Sequence, residues 1–246
     1  MIEILGTTTL VGLLRWPPAD SLSPPMQNAG FAALGLDWAY VPLPTPPERL
    51  GDAVRGLVAT GFAGANVTMP HKEAVIALCD EVDDIAARAG SVNTLVIDGG
   101  RVVGSSTDGL AVTEQIEPKG LRALVLGTGG ASKAAAAALE AAGAEVVVRG
   151  RRDADWPPSA DGFDVLVNAT PVRDDLIVEP HPGMQVVDLA YHADGRPTAL
   201  IAAARELDCH PCVDGLDVLL AQGAASFERW TGQAAPLRAM RQALRG

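Results

Sequence analysis

The fold of this chain is best predicted from residues Ala123 to Arg152, which read ALVLGTGGASKAAAAALEAAGAEVVVRGRR. The apolar run Leu124 to Leu126 is typical of a buried parallel strand. A glycine-rich turn and an alanine-rich helix over residues 131–142 follow, and Gly143 is expected to end that helix in a left-handed conformation. A second strand is expected over residues 144–148. Strand, glycine turn, helix and strand form half of a dinucleotide-binding fold.

The glycine turn has the residue types that a pyrophosphate requires. Gly127 permits the tight turn, Gly129 lets the ligand approach the backbone, and the helix N-terminus supplies N–H donors. Ser132 stands where the pattern prefers a third glycine or an alanine. A glycine turn without any ligand is the alternative interpretation, but the strand before it and the helix after it favour nucleotide binding.

The composition restricts the class of protein. Of the 246 residues, 48% are hydrophobic, 20% are charged and 4% are aromatic, as in a soluble α/β protein of one or two domains. The net charge of −11 argues against a nucleic-acid partner, which would require basic patches. Because no apolar run is long enough to cross a bilayer and the N-terminus lacks a basic signal region, we expect a cytoplasmic protein without a membrane partner.

The cysteines favour the same compartment. The number of cysteines is odd: they are Cys79, Cys209 and Cys212. An odd number suggests free thiols in a reducing cytoplasm. Cys209 and Cys212 have the CxxC spacing of redox or zinc sites. No second pair completes such a site, so we expect no metal.

Strand and helix patterns alternate along the rest of the chain. Residues Ile2 to Leu14 predict a first strand, and four alternations before Asp108 predict a first α/β domain. The helix from Gly109 to about Ile116 is expected to link it to the dinucleotide domain. The tail from Leu216 to Leu244 is expected to be a pair of helices broken at Thr231-Gly232.

Lys72 is the first candidate for a catalytic residue. A helix is expected to begin there and to extend to Leu78. A lysine in a first helical turn is electrostatically misplaced, because the helix N-terminus favours anions. A charge in this unfavourable position suggests a functional role for the side chain. The alternative interpretation is a solvated surface lysine.

Two serines are candidates for anion binding. Ser21 and Ser23 flank one residue before a helix that is expected to begin near Pro24. They would either cap that helix or bind a carboxylate, and the sequence leaves both possibilities open.

A series of polar motifs then identifies a family. The motifs are Ser21-Leu-Ser23-Pro, Asn66-Val-Thr68-Met-Pro-His-Lys72, Ser91-Val-Asn93-Thr94, Thr107-Asp108-Gly109, the turn Gly127 to Ser132, Asn168-Ala169-Thr170, and Gly215-Leu followed by Ala221-Gln222. Their order resembles that of shikimate dehydrogenases nearly end to end. The lysine motif and the paired serines are specific to that family, whereas the glycine turn is not.

The resemblance implies a two-domain α/β enzyme that reduces 3-dehydroshikimate to shikimate, a step of aromatic amino-acid biosynthesis. It implies a substrate-binding and catalytic domain over residues 1–106, completed by C-terminal helices over 219–246. A Rossmann-type dinucleotide-binding domain would occupy residues 107–218. The enzyme would be a monomer or a homodimer, with a shikimate-like carboxylate as its small-molecule substrate.

The resemblance also implies roles for individual residues. Lys72 and Asp108 would form the catalytic pair beside the reacting carbonyl. The substrate-binding residues would be Ser21 and Ser23 for the carboxylate and Thr68, Asn93 and Gln222 for the ring hydroxyls, with Tyr191 close by. Ketone reduction requires a hydride donor and a proton source, and a lysine ammonium supplies the proton together with positive charge for the developing alkoxide.

Cofactor choice is predicted from the end of the second strand. An NAD-specific fold places Asp or Glu there, whereas this strand ends in Arg149-Gly150-Arg151-Arg152. Guanidinium groups suit the 2′-phosphate of NADP, and we expect Arg151 to matter most. Asp153 keeps NAD open as an alternative. The expected cofactor-binding residues are Gly127, Thr128, Gly129, Gly130, Ala131, Ser132, Arg149, Arg151, Arg152, Asn168, Ala169 and Thr170.

Several positions depart from the family pattern. Asp20 replaces a histidine beside the expected carboxylate site, Ser106 replaces an asparagine, and Asp217 replaces a glycine near the expected nicotinamide. These departures leave two alternatives to shikimate reduction with NADP. One is a quinate/shikimate dehydrogenase that uses NAD, and the other is a cofactor-binding regulatory protein without turnover. The retention of Lys72 and Asp108 argues against the latter.

Overall fold

The computed structural model describes residues 4–245, which form two compact α/β units. The first unit contains the chain up to Thr107 together with the residues from Gln222 on, and the second unit is Asp108–Ala221. The predicted α/β class is confirmed. The outer limits of the expected substrate domain, at residues 1–3 and 246, lie outside the described residues.

The first unit contains a six-stranded mixed sheet in the order β2-β1-β3-β5-β6-β4. Strand β1 pairs in parallel with β2 and β3, whereas β5 is antiparallel to β3 and β6. The strands are β1 Thr9–Arg15, β2 Trp38–Pro44, β3 Gly64–Val67, β4 Glu81–Val82, β5 Thr94–Asp98 and β6 Arg101–Ser105. The helices are α1 Ser23–Ala33, α2 Leu50–Ala59 and α3 Asp84–Ala89, with 3₁₀ helices at Pro47–Arg49 and Ala74–Leu78.

The first strand begins later than expected. Residues 4–8 are not part of β1, and the start of the expected strand at Ile2 lies outside the described residues. The hydroxyl of Thr8 accepts the N–H of Leu5 at 2.8 Å, and the N–H of Thr8 donates to the Leu5 carbonyl at 3.2 Å. These bonds close a turn. Side-chain bonds of this kind compete with strand pairing, so β1 begins only after the turn.

The second unit contains a five-stranded parallel sheet in the order β11-β10-β9-β7-β8. The strands are β7 Arg122–Leu126, β8 Glu145–Arg149, β9 Val165–Asn168, β10 Gln185–Asp188 and β11 Cys212–Val213, with helices α4 Asp108–Thr113, α5 Gly130–Ala141 and α6 Ala199–Glu206. The strand order reverses at β7, so the carboxyl ends of β7 and β9 form the crevice where such sheets bind ligands.

The C-terminal helices are α7 Gly215–Thr231 and α8 Leu237–Arg245. The break between them follows the expected Thr231-Gly232, and Gly232 has a φ of +66°. The pair of helices predicted for the tail is therefore confirmed. None of the helices within residues 4–245 combines the length and the apolar character needed to span a membrane.

Each unit has a core on both faces of its sheet. In the first unit, Leu14 packs with Leu50 on one face, while Leu13 packs with Phe31 and Phe227 on the other. The rings of Phe31 and Phe227 stack with centroids 5.1 Å apart. Burial of such a side chain contributes about 1.5–3 kcal/mol, so these contacts hold α1 and α7 against the same face of the sheet.

The helix expected to begin at Lys72 differs from the observed structure. A 3₁₀ helix begins only at Ala74, and Lys72 lies in the turn before it. The carbonyl of Lys72 accepts the N–H of Val92 at 2.8 Å, and the N–H of Ile76 donates to the carbonyl of Glu73 rather than to that of Lys72. The argument from a misplaced charge at a helix N-terminus no longer applies.

Candidate active site

The two serines do not act as a simple helix cap. The N-cap residue of α1 is Leu22, and it has no side-chain capping bond. The hydroxyl of Ser21 accepts the N–H of Ser23 at 3.2 Å. Burial raises the pKa of Tyr40, and the side chain of Ser23 partly lowers it again. Both serines are partly buried at the start of α1.

A buried hydrogen-bond network extends from Tyr40 across the sheet. The Tyr40 hydroxyl donates to Oδ1 of Asn66 at 3.0 Å. Nδ2 of Asn66 lies 3.0–3.1 Å from the Asn93 carbonyl, Oγ1 of Thr94 and Oγ of Ser226. Each of these side chains is at most 6% exposed. An unsatisfied buried polar group costs about 1–3 kcal/mol, so the network holds Asn66 in one orientation.

Asn93 is joined to the same network through Thr107. Its Nδ2 donates to Oγ1 of Thr107 at 2.9 Å, and its Oδ1 accepts the Thr107 N–H at 2.8 Å. This two-point contact fixes the amide plane of Asn93 and anchors the residue directly before Asp108. Asp108 is 9% exposed and is the first residue of α4 in the second unit.

The segment of Thr68 to Lys72 is held through its backbone and through His71. The N–H of Thr68 donates to the Leu14 carbonyl at 3.0 Å, and the His71 N–H donates to the Thr68 carbonyl at 2.9 Å. The buried imidazole of His71 lies 2.8 Å from the Thr45 carbonyl. Lys72 therefore projects from a backbone that is fixed on both sides.

The two remaining substrate candidates lie in different units. Gln222 is part of α7 in the first unit, and its carbonyl accepts the hydroxyl of Ser226 at 3.0 Å. Tyr191 follows β10 in the second unit and is partly buried. Within the first unit, the structure thus joins Asn93 and Gln222 to one network through Ser226.

The glycine turn of the second unit has the geometry of a phosphate-binding turn. Gly127 has a φ of +116°, and a Cβ there would lie 3.0 Å from the Ala169 carbonyl, so glycine is required on both counts. Gly129 is the N-cap of α5 and makes no side-chain capping bond. The hydroxyl of Ser132 donates to the Gly127 carbonyl at 2.6 Å, which shows how serine fits this position.

A buried carboxylate that the sequence did not single out supports this turn. Asp188 is fully buried and accepts bonds from Nδ2 of Asn168, the N–H of Ala190 and Oγ1 of Thr198, at 2.8, 2.9 and 2.5 Å. Burial raises its pKa to about 6, against the opposing effect of those bonds. Oδ1 of Asn168 then accepts both the N–H and the hydroxyl of Thr170. Asp188 therefore orients the Asn168 amide.

Arg149, the first of the three candidate arginines, is engaged within the unit. Its Nε lies 2.7 Å from Oδ2 of Asp155, and a second nitrogen donates to the Val148 carbonyl at 3.0 Å. The hydrogen bond with Asp155 raises the pKa of Arg149. These contacts compete with any role of Arg149 in binding a phosphate.

Asp153 is engaged as well, whereas the other two arginines face solvent. Oδ2 of Asp153 accepts the N–H of Gly150 at 2.7 Å, so the carboxylate closes the turn after β8. A Cβ on Gly150 would lie 2.5 Å from Cγ2 of Thr128, which packs this turn against the glycine turn. Arg151 and Arg152 are exposed. The carboxylate of Asp153 is thus occupied by the backbone of its own turn, whereas Arg151 and Arg152 extend from the exposed part of that turn.

The cysteines show no sign of a reactive centre. Cys79, Cys209 and Cys212 are all free, and burial raises the pKa of each thiol, which lowers its thiolate fraction. Among residues 4–245, no group of three or more His, Cys, Asp or Glu side chains is arranged to hold a metal ion.

Comparison with known proteins identifies the family. The model of the shikimate dehydrogenase substrate binding domain matches residues 16–95, and that of the shikimate 5′-dehydrogenase C-terminal domain matches residues 215–245. Shikimate dehydrogenase (NADP(+)) of Rubrobacter xylanophilus is 43% identical, over 99% of this chain and 98% of the relative. The chain belongs to the shikimate dehydrogenase family. The predicted resemblance is confirmed.

Two further family members extend the comparison. Shikimate dehydrogenase (NADP(+)) of Gluconobacter oxydans is 40% identical, over 92% of this chain and 91% of the relative. The Thermus thermophilus enzyme, solved in complex with NADP(H) and shikimate, has a TM-score of 0.83 and 33% identity, covering 97% of this chain and 99% of that one. The family likeness therefore includes both units.

Several residues of this family member became apparent only in the structure. Four such residues were not among the expected site residues: Tyr40 bonds to Asn66 of the lysine motif, Thr94 to Asn93, Ser226 to Gln222 and Asp188 to Asn168. A polar residue within an otherwise apolar strand or helix face was the available sequence signal. That signal does not identify the partner, because the partners lie far apart in the chain.

The Asp188 carboxylate predicts a pH-dependent stability. Its folded-state pKa of about 6 lies above the ordinary value of 3.8, so the folded protein binds this proton more tightly than the unfolded chain. Between pH 4 and pH 6.5, ionisation of Asp188 should therefore remove about 2 kcal/mol from the free energy of unfolding. Asp188→Asn should lack this decline.

Urea unfolding at a series of pH values measures this effect as the difference between wild type and variant. Asp161→Asn, at an exposed position of the same unit, is the matched control and should follow the wild-type curve. Parallel curves for Asp188→Asn and wild type would contradict the prediction.

Proposed function

We propose that this chain catalyses the reversible, NADP-dependent reduction of 3-dehydroshikimate to shikimate. The observation that carries the proposal is the rigid placement of Asn93 and the Lys72 segment within a unit that matches the family's substrate-binding domain. The two shikimate dehydrogenases (NADP(+)) named above match 99% and 92% of this chain. We assign substrate binding to residues 1–106 and 219–246, and dinucleotide binding to residues 107–218.

The residues of the second unit fit NADP. The positive φ of Gly127, the open space beside the Cα of Gly129 and the uncapped N-terminus of α5 suit a pyrophosphate. Arg151 and Arg152 suit the 2′-phosphate, and residues 168–170 border the turn. When bound, NADPH would supply the hydride for reduction, and NADP+ would accept it in the opposite direction.

The residues that would bind and protonate the substrate belong to the first unit, except Asp108 and Tyr191, which belong to the second. Lys72 donates a proton to the carbonyl oxygen during reduction, and its charge stabilises the developing alkoxide. In the opposite direction the neutral amine accepts that proton. Asp108 is proposed as its catalytic partner on the match of its motif alone. Ser21 and Ser23 would hold the carboxylate, and the ring hydroxyls would bind to Thr68, Asn93 and Gln222, with Tyr191 as a further contact.

A matrix of two substrates and two cofactors tests this function. We expect shikimate with NADP to give the highest kcat/KM of the four combinations of shikimate or quinate with NADP or NAD. A maximum for quinate with NAD would instead support the second type of dehydrogenase. Absence of turnover with all four, together with retained NADP binding, would favour a regulatory protein.

We further propose that the enzyme acts in the cytoplasm as a monomer or a homodimer, without a nucleic-acid partner. Its three free thiols suit a reducing compartment, and its net charge of −11 disfavours nucleic acid. Light scattering of the purified protein would determine its oligomeric state.

A further inference from the structure

A cavity of about 480 Å³ lies within the first unit, beside the start of α1 and the carboxyl ends of β1 and β2. Its walls include Arg15 from the end of β1, Asp20 and Ser21 from the loop before α1, and Pro42 from β2. We name it the Arg15 pocket. Its volume falls within the range of about 300–1,000 Å³ that is typical of small-molecule sites.

Arg15 brings a partly buried positive charge to this pocket. Its carbonyl accepts the Thr45 N–H at 2.8 Å, which fixes the backbone from which the side chain extends. Among residues 4–245, no carboxylate lies within 4.0 Å of its guanidinium. This includes the carboxylate of Asp20, which lies on the same pocket wall. Because a partly buried cation without an ionic partner can gain from pairing with a negative charge, this arrangement suits an external anion.

Ser21 supplies a second donor at the same pocket. Its oxygen already accepts the N–H of Ser23 at 3.2 Å, so its O–H remains to donate. A guanidinium offers parallel N–H groups that match the two oxygens of a carboxylate. Proline side chains supply part of the apolar lining of the pocket.

We propose that Arg15 and Ser21 together bind the carboxylate of the substrate, and that Arg15 selects acidic ring substrates over neutral ones. The identity of that substrate, a cyclohexene carboxylate, rests on the function proposed above. The guanidinium offsets the charge of Asp20, which otherwise repels an anion. Removal of Arg15 therefore both deletes a contact and leaves Asp20 uncompensated.

The first test compares shikimate with its methyl ester, which lacks the negative charge, in assays with NADP. Arg15→Gln should raise KM for shikimate about 10- to 100-fold, the expected effect of one charged hydrogen-bonding group, with little change in kcat. KM for the ester should stay near the wild-type value. Arg15→Lys should recover part of the loss, and the control Arg101→Gln, an exposed arginine of β6, should change nothing. An equal rise for acid and ester, or no rise, would overturn the proposal while leaving the proposed function intact.

A binding measurement separates the two proposals. Cyclohex-1-ene-1-carboxylate, which carries no hydroxyl to oxidise, should bind to wild type in calorimetry and lose about 10- to 100-fold in affinity in Arg15→Gln. If wild type binds this anion through Arg15 but does not oxidise shikimate, only the proposed function fails. Should Arg15→Gln not fold, Asp20→Asn decides: tighter binding of the anion supports the proposal, and unchanged binding overturns it.

Discussion

Replacement of Lys72 with alanine is expected to lower kcat for shikimate oxidation by about 10²–10⁴-fold, the usual contribution of a general acid or base. KM for NADP should stay near the wild-type value, because the cofactor candidates lie on other segments. The hydrogen bond from Val92 reaches the backbone carbonyl of Lys72 and survives the substitution. The loss of turnover therefore reports on the ammonium group rather than on folding.

Steady-state kinetics of two lysine variants test this prediction. Lys119→Ala, at an exposed position of the second unit, is the matched control and should keep wild-type turnover. Thermal unfolding of both variants would confirm that they fold. If Lys72→Ala retained near-normal kcat, the assignment of Lys72 as the proton donor would be wrong.

Cofactor choice is expected to depend on Arg151. Arg151→Ala should lower the ratio of kcat/KM for NADP to kcat/KM for NAD by about 10- to 100-fold, because one charged hydrogen-bonding group to the 2′-phosphate is lost. Arg149→Ala should change this ratio much less, since the Arg149 guanidinium is engaged by Asp155. Measurements with both cofactors in wild type and both variants give the comparison.

Other effects of these substitutions on the cofactor ratio would assign the contact with the ribose or its phosphate to a different residue. A larger change in Arg149→Ala would mean that its ion pair with Asp155 opens to receive the phosphate. A wild type that prefers NAD, with a ratio unaffected by Arg151→Ala, would point to Asp153. In that case the carboxylate would have to leave the Gly150 N–H that it accepts at 2.7 Å.

Local elements could be predicted closely because neighbouring residues determine them. The helix expected over residues 131–142 is Gly130–Ala141, and the strand expected over 144–148 is Glu145–Arg149. Gly143 ends this helix with a φ of +91°, a conformation that glycine adopts without steric cost. Alternation of apolar residues and the positions of glycine were sufficient for this part of the fold.

The Lys72 segment could not be predicted in the same way. Its sequence permits a helix, but the N–H of Val92, which belongs to a distant part of the chain, binds the Lys72 carbonyl. The candidate site shows the same limit, since Asn66 and Ser226 are 160 residues apart and yet 3.0 Å from each other. No local pattern identifies such a partner.

The amino-acid sequence alone thus determined the dinucleotide-binding turn, the α/β class and the order of motifs that identifies the family. Periodicity, glycine conformation and motif spacing are properties of short segments, so they can be read without coordinates. Only the tertiary structure decided which polar groups pair: Arg149 with Asp155, Asp188 with Asn168, and Arg15 with no carboxylate among residues 4–245. The physical reason is that buried polar groups must find partners at hydrogen-bonding distance, and folding can bring those partners from far along the chain, as it does for Asn66 and Ser226.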